Sequence, residues 1–365
     1  MSKENRFTSL VLRKDQLLTG DKQGNFLSWE FSRNNDEIYH TIIGTVNEEI
    51  SDVAVSDSGL EKICRTKSCR FYYWALRLRA FGGDPEIIDG DMINRISCPS
   101  SDDEGNYTYD LAFRAVSYPF VMSKAAEPYL IKHRKGEGFN YEIEHIDILS
   151  GDVIHSISMP KCYETFRAWQ ILFKDDFFIT FDGVWVKETE ECISEIICTY
   201  GDGYCHDNME KYEKEGYALS SYVVDLIQVG TCDSEKSMFA FIEEIGCDKL
   251  IDYDELERIS NLDEYEVEPD HEISNFYFVR ICGIELDEAK EEYELFGWTE
   301  ASGLETEYEF RIKKDEATKF SFYEDIMATI TDKGNIKIFD VKNKRLIHEI
   351  FPLKMKDTNE FGELL

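Results

Sequence analysis

The sequence is short of basic residues and of proline, and it has no long apolar run. Against 74 Asp and Glu stand 40 Lys and Arg, so the 365-residue chain carries a formal charge of −34. A surface of that sign repels phosphate and attracts basic partners, which disfavours direct nucleic-acid binding. Only seven prolines are present, and no Ser- or Pro-rich linker divides the chain. No window approaches the roughly 18 uncharged apolar residues of a membrane span. Met1-Ser2-Lys3-Glu4-Asn5-Arg6 leads into no apolar stretch, so no secretory leader and no membrane association are expected. The ten cysteines show no paired spacing. Reduced thiols in a cytoplasmic or nuclear protein are the expectation.

Signatures of catalysis and metal binding are also missing. There is no Gly-x-Ser-x-Gly, His-Glu-x-x-His, Gly-x-x-x-x-Gly-Lys-Ser/Thr or Gly-x-Gly-x-x-Gly. Cys192, Cys198, Cys205 and His206 are the closest Cys/His cluster, but structural zinc sites bring paired ligands closer together and no Cys-x-x-Cys exists. Asp248, Asp252 and Asp254 lack the spacing and glycine of a calcium loop. Tyr204-Cys205-His206-Asp207 sets Cys, His and Asp side by side, yet catalytic triads meet through the fold rather than as neighbours. No metal, no cofactor and no catalytic residue are expected.

What the chain does have is aromatic and β-branched alternation. Hydrophobic residues make up 42% and aromatics 13%, ample for a packed core. Period-two patterning predicts strands over Phe7–Leu12, Phe26–Phe31, Phe71–Ala75, Ala168–Phe173, Phe177–Phe181, Phe276–Ile281 and Ile336–Val341. Gly20–Asn25, Ser150–Asp152 and Asp332–Asn335 read as hairpin turns. Short helices are expected only over Asn208–Glu215 and Tyr253–Ser260.

The chain also repeats itself. Ile143–Ile157 aligns without a gap on Ile336–Ile350, with five of fifteen positions identical. Leu17–Phe31 parallels Met327–Val341 after one deletion, and Phe177–Val186 followed by Cys192–Ile196 is a looser copy. On these residues the sequence resembles a degenerate WD-repeat β-propeller. In that family each blade is a four-stranded sheet whose third strand closes on Trp-Asp. Here Trp29-Glu30, Ile146-Asp147 and Phe339-Asp340 stand in that place, and the family's Gly-His dipeptide is missing throughout. The resemblance implies an all-β chain, a single β-propeller of six or seven four-stranded blades with irregular insertions. It would span residues 1–353, with 200–320 irregular or an insertion and 354–365 a flexible tail. A pair of β-sandwiches is the competing all-β arrangement.

Charge adds a role to that architecture. Residues 1–180 hold 28 acidic and 21 basic residues, and residues 181–365 hold 46 and 19. The densest acidic run contains Asp252, Asp254, Glu255, Glu257, Asp263, Glu264, Glu266, Glu268 and Asp270, interleaved with tyrosines. Carboxylates can take the charge of a Lys- or Arg-rich segment while aromatic faces take its stems. These nine residues are the candidate partner-binding site; a solvated acidic face that only confers solubility is the bland alternative. A second acidic cluster is Glu285, Asp287, Glu288, Glu291, Glu292 and Glu294. One basic, aromatic stretch, Lys62–Arg79, reads either as a blade hairpin or as a stacking and phosphate-binding surface. Together these features predict a non-catalytic, acidic scaffold or adaptor that docks or chaperones a basic segment in a larger assembly. The alternative is a propeller hydrolase using carboxylates at a central opening.

Overall fold

The computed structural model describes residues 5–34, 37–56, 59, 61–68, 70–75, 86–88, 107–117, 124–135, 141–148, 151–159, 172–174, 177–179, 183–186, 192–195, 208–231, 236–249, 275–287, 292–296 and 308–353. Nearly all of them are strand. Four antiparallel four-stranded sheets follow one another: β1 (Phe7–Arg13), β2 (Gln16–Asp21), β3 (Asn25–Phe31) and β4 (Ile38–Thr45), paired in that order; β5 (Ile50–Val55), β6 (Glu61–Thr66), β7 (Phe71–Ala75) and β8 (Glu86–Ile88); β9 (Tyr107–Ser117), β10 (Lys124–Lys135), β11 (Tyr141–Asp147) and β12 (Val153–Met159); and β13 (Leu172–Lys174), β14 (Phe177–Ile179), β15 (Gly183–Val186) and β16 (Cys192–Glu195). Each strand pairs with its sequence neighbour, the up-and-down order that short turns permit.

Later strands join one larger sheet. It contains β17 (Tyr217–Gly230), β18 (Lys236–Lys249), β19 (Phe276–Asp287), β20 (Glu292–Phe296) and β21 (Tyr308–Lys313), then a final meander of β22 (Lys319–Tyr323), β23 (Ile326–Ile330), β24 (Ile336–Asp340) and β25 (Arg345–Ile350). A short parallel pairing, Val229 with Phe322 and Gly230 with Tyr323, connects β17 to β22. The stretch from β17 to β21 thus departs from the four-strand unit, and the internal repeat does not extend into it. The expected helix at Asn208–Glu215 is present over residues 208–214; the one expected over Tyr253–Ser260 lies outside the described residues.

The repeats observed in sequence coincide strand for strand. Leu17–Phe31 and Met327–Val341 are second and third strands of their meanders, and Ile143–Ile157 and Ile336–Ile350 are third and fourth. Trp29, Ile146, Trp185 and Phe339 therefore all sit on third strands, as does Trp74 on β7. The turns follow their chemistry as well: Gly24, Gly151 and Gly334 all adopt positive φ, which glycine does without steric cost.

Two compact units emerge. The first comprises Met1–Trp169 with Ala328–Ile338 and Leu346–Leu365; the second comprises Gln170–Met327 with Phe339–Arg345. In the first, Leu18, Phe26, Val46, Ile50, Val53, Cys64 and Trp74 form one core cluster between the first two sheets. Each such large side chain contributes roughly 1.5–3 kcal/mol on burial. Trp74 lies 4.9 Å from Phe26 between ring centroids, and the absence of a side chain at Gly44 makes room for its indole. The same unit ties the chain's ends together: Phe7 N donates to Gly334 O at 3.0 Å, and His348 Nε2 meets Ser32 O at 2.7 Å. The second unit is centred on Val229, Ala240, Ile242, Val279, Ile281, Phe322 and Phe339, among others.

Candidate functional site

Three carboxylates are buried among the described residues, and each has a structural occupation. Asp21, fully buried, ends β2. Its carboxylate accepts from Asn25 N at 2.8 Å, Asn25 Nδ2 at 2.7 Å, Gln23 N at 2.9 Å and Asn5 Nδ2 at 2.8 Å. That is an Asx-type closure of the β2–β3 turn, in which a side chain substitutes for missing backbone partners. Asp340, at the Trp-Asp position of β24, does the same for the next turn, accepting from Asn343 N at 2.9 Å and Asn343 Nδ2 at 2.8 Å, and from Arg345 Nε at 3.3 Å. Burial pushes its carboxyl up, but the Asn343 and Arg345 donors outweigh that and hold it below the ordinary value. On the first sheet, Trp29 Nε1 donates to the buried Thr19 Oγ1 at 2.9 Å, a polar link between the second and third strands.

The third is Glu243, which receives Arg280 Nη2 at 2.7 Å across β18 and β19, both side chains with zero exposure. Arg280 also lies over the Phe241 ring, 5.0 Å from its centroid. Register explains the grouping: Phe241 pairs with Arg280 and Glu243 with Phe278, so all four share one face of the hairpin. Sequence reasoning passed over this pair. Its signal was charge inside two apolar strands, Glu243-Glu244 between Ile242 and Ile245 and Arg280 between Val279 and Ile281.

Within the basic stretch Lys62–Arg79, the described residues form the β6–β7 hairpin as far as Ala75. Phe71, Tyr73 and Trp74 are buried, so they form core instead of a stacking platform. Arg65 pairs with Asp52 at 3.8 Å and Arg70 with Glu48 at 3.2 Å. Lys62 donates to Gly59 O at 2.7 Å, and burial, aided by Arg13, holds its ammonium below the ordinary lysine value. Arg77 and Arg79 lie outside the described residues.

The acidic candidates divide. Asp252, Asp254, Glu255, Glu257, Asp263, Glu264, Glu266, Glu268 and Asp270 all lie outside the described residues, as do Cys198, Cys205 and His206 of the Cys/His cluster. Of the second acidic cluster, Glu285 and Asp287 lie on β19 and Glu292 and Glu294 on β20, while Glu288 and Glu291 lie outside the described residues. There the register sets Glu285 opposite Glu294 and Asp287 opposite Glu292, on the outermost strand pair of the large sheet. Among the described residues no group of three or more His, Cys, Asp or Glu is placed to hold a metal ion. No described helix is long and apolar enough to cross a membrane.

No family model matches the chain. No curated protein matches it either. Solved structures similar to it include Sqt1 of Saccharomyces cerevisiae, at 10% identity and a TM-score of 0.36 over 96% of this chain and 86% of that one. The computationally designed Ika8 protein aligns at 11% identity and a TM-score of 0.29, over 95% of this chain and 87% of that one. The designed Ika4 protein aligns at 14% identity and a TM-score of 0.23, over 50% of this chain and 86% of that one. All three are β-propeller proteins, Sqt1 of the WD40 kind. Likeness at these TM-scores carries no weight for function.

Proposed function

We propose that the chain is a non-catalytic WD-repeat-like propeller of six or seven blades, a scaffold or adaptor that docks or chaperones a basic protein segment within a cytoplasmic or nuclear assembly. The observation that carries this reading is the placement of acid on the β19–β20 hairpin. Two pairs of acidic residues stand in register there, Glu285 with Glu294 and Asp287 with Glu292, in the half of the chain that holds 46 acidic residues against 19 basic ones. A Lys- or Arg-rich segment laid along it would meet acidic positions on both strands. The nine acids from Asp252 to Asp270 extend the same field in sequence and form the second part of the docking surface. The buried carboxylates Asp21, Glu243 and Asp340 are committed to turns and to an ion pair, which favours a scaffold over a carboxylate hydrolase.

The test is charge reversal in two sets, Glu285→Lys/Glu294→Lys and the nine acids from Asp252 to Asp270, read by binding of an arginine-rich peptide. Each set weakens binding if the reading holds. Unchanged binding in both would retire the acidic surface as a docking site.

A further inference from the structure

We propose that the outer edge of β4 is a docking edge for an extended segment of another protein, one with alternating apolar side chains flanked by Lys or Arg. The inference rests on the adaptor reading and gives it a second place of contact. Strand β4 is the last of its sheet, paired only with β3 among the described residues. Every residue from Tyr39 to Ile42 is exposed, with Tyr39 at 63% and Ile42 at 51%. An edge strand presents a row of backbone donors and acceptors, and proteins usually blunt it with lysine, proline, brevity or a bulge. This one has eight residues, with neither lysine nor proline. Its one blunting device is a bulge opposite Phe26 and Leu27, which leaves Ile38–Ile42 in regular register with Phe31–Leu27. By contrast β25, at the edge of the large sheet, begins with Arg345 just after Lys342 and Lys344.

Charge selects the occupant. From Asn34 to Glu61 the sequence contains no Lys or Arg, while Glu37 precedes the strand and Glu49 follows it; Glu48, beside Glu49, is already paired with Arg70. Glu30 is exposed opposite Tyr39 on β3. The neighbouring base Arg33 is held by Asp15 at 3.6 Å. A second copy of the chain, paired antiparallel along β4, would bring together two bodies of charge −34. A segment with basic ends meets those same acids favourably, and main-chain hydrogen bonding along the strand supplies the rest.

The experiment uses the full chain with the synthetic peptide KKVTVTVKK. Two controls accompany it: KKGSGSGKK, of the same charge, and KKVTVTVKK methylated on alternate backbone nitrogens. The proposal expects KKVTVTVKK to bind and to protect the amides of 38–42 from hydrogen exchange. Both controls should bind at least roughly tenfold more weakly, because one lacks the apolar side chains and the other the main-chain donors. Ile42→Glu, at an exposed position, should weaken binding several-fold, whereas a purely electrostatic contact would strengthen with the added acid. Equal binding of the three peptides, or protection confined to other strands, overturns the edge and leaves the acidic adaptor standing. Self-association that protects 38–42 without peptide assigns the edge to a second copy and also overturns it. Failure of every basic peptide to bind overturns both readings.

Discussion

Arg280 and Glu243 face each other on neighbouring strands, 2.7 Å apart and with no exposure of either side chain. Removing two charges from water costs several kcal/mol per ion, and their mutual attraction offsets much of it. Losing one partner strands the other. Glu243→Gln alone should therefore lower stability by about 3–5 kcal/mol, while the double change Glu243→Leu/Arg280→Met should come close to neutral. Urea denaturation of the three proteins checks this, and a double variant as unstable as the single would contradict it.

Trp29 is fixed by one hydrogen bond to Thr19 within a closely packed sheet. Thr19→Val keeps the shape and removes the acceptor, leaving a buried indole N–H. The expected cost is about 1–3 kcal/mol. Near-ultraviolet circular dichroism should show an altered tryptophan signal alongside the lower denaturation midpoint.

Two glycines separate backbone strain from collision. Gly216 adopts φ +86° with nothing within 4 Å of where a Cβ would stand, whereas at Gly24, φ +89°, that carbon would meet Val46 O at 1.9 Å. Gly216→Ala should cost only the left-handed penalty, roughly 1–2 kcal/mol. Gly24→Ala should cost distinctly more, since the hydrogen bond from Val46 N to Gly24 O is also displaced. Thermal melts of the pair check the order.

Glu48 is held below its ordinary value of 4.5 chiefly by the Ser68 hydroxyl, against the effect of burial and with help from Thr66 and Arg70. Asp340 is held below 3.8 by Asn343 and Arg345 despite its burial. A carboxyl depressed in the folded state stabilises it fully above the unfolded value, and that contribution disappears as pH falls through the folded one. Ser68→Ala and Asn343→Ala should therefore be less stable than the parent near neutral pH and converge with it as pH falls through the depressed folded-state values. Parallel stability curves across that range would contradict the assignment.

Much of the strand architecture was legible because period-two alternation and glycine turns act locally. Phe7–Leu12, Phe26–Phe31, Phe71–Ala75 and Ile336–Val341 appear as β1, β3, β7 and β24, and the repeats share strand positions. What stayed hidden depends on cross-strand register, which no local pattern encodes. The Arg280–Glu243 pair, the opposition of Glu285 to Glu294 and the parallel link from Val229 to Phe322 all arise only once distant strands are paired. The edge at Ile38–Ile42 is of the same kind, since among the described residues no strand pairs with β4 beyond β3.

The most direct test of the acidic adaptor is the affinity of an arginine-rich peptide for the full chain, measured from about 50 to about 500 mM salt, where screening shortens from beyond 10 Å to a few ångströms. The account predicts binding at low salt that weakens steadily as salt rises. Affinity independent of salt, or no binding at the lowest salt, would contradict it.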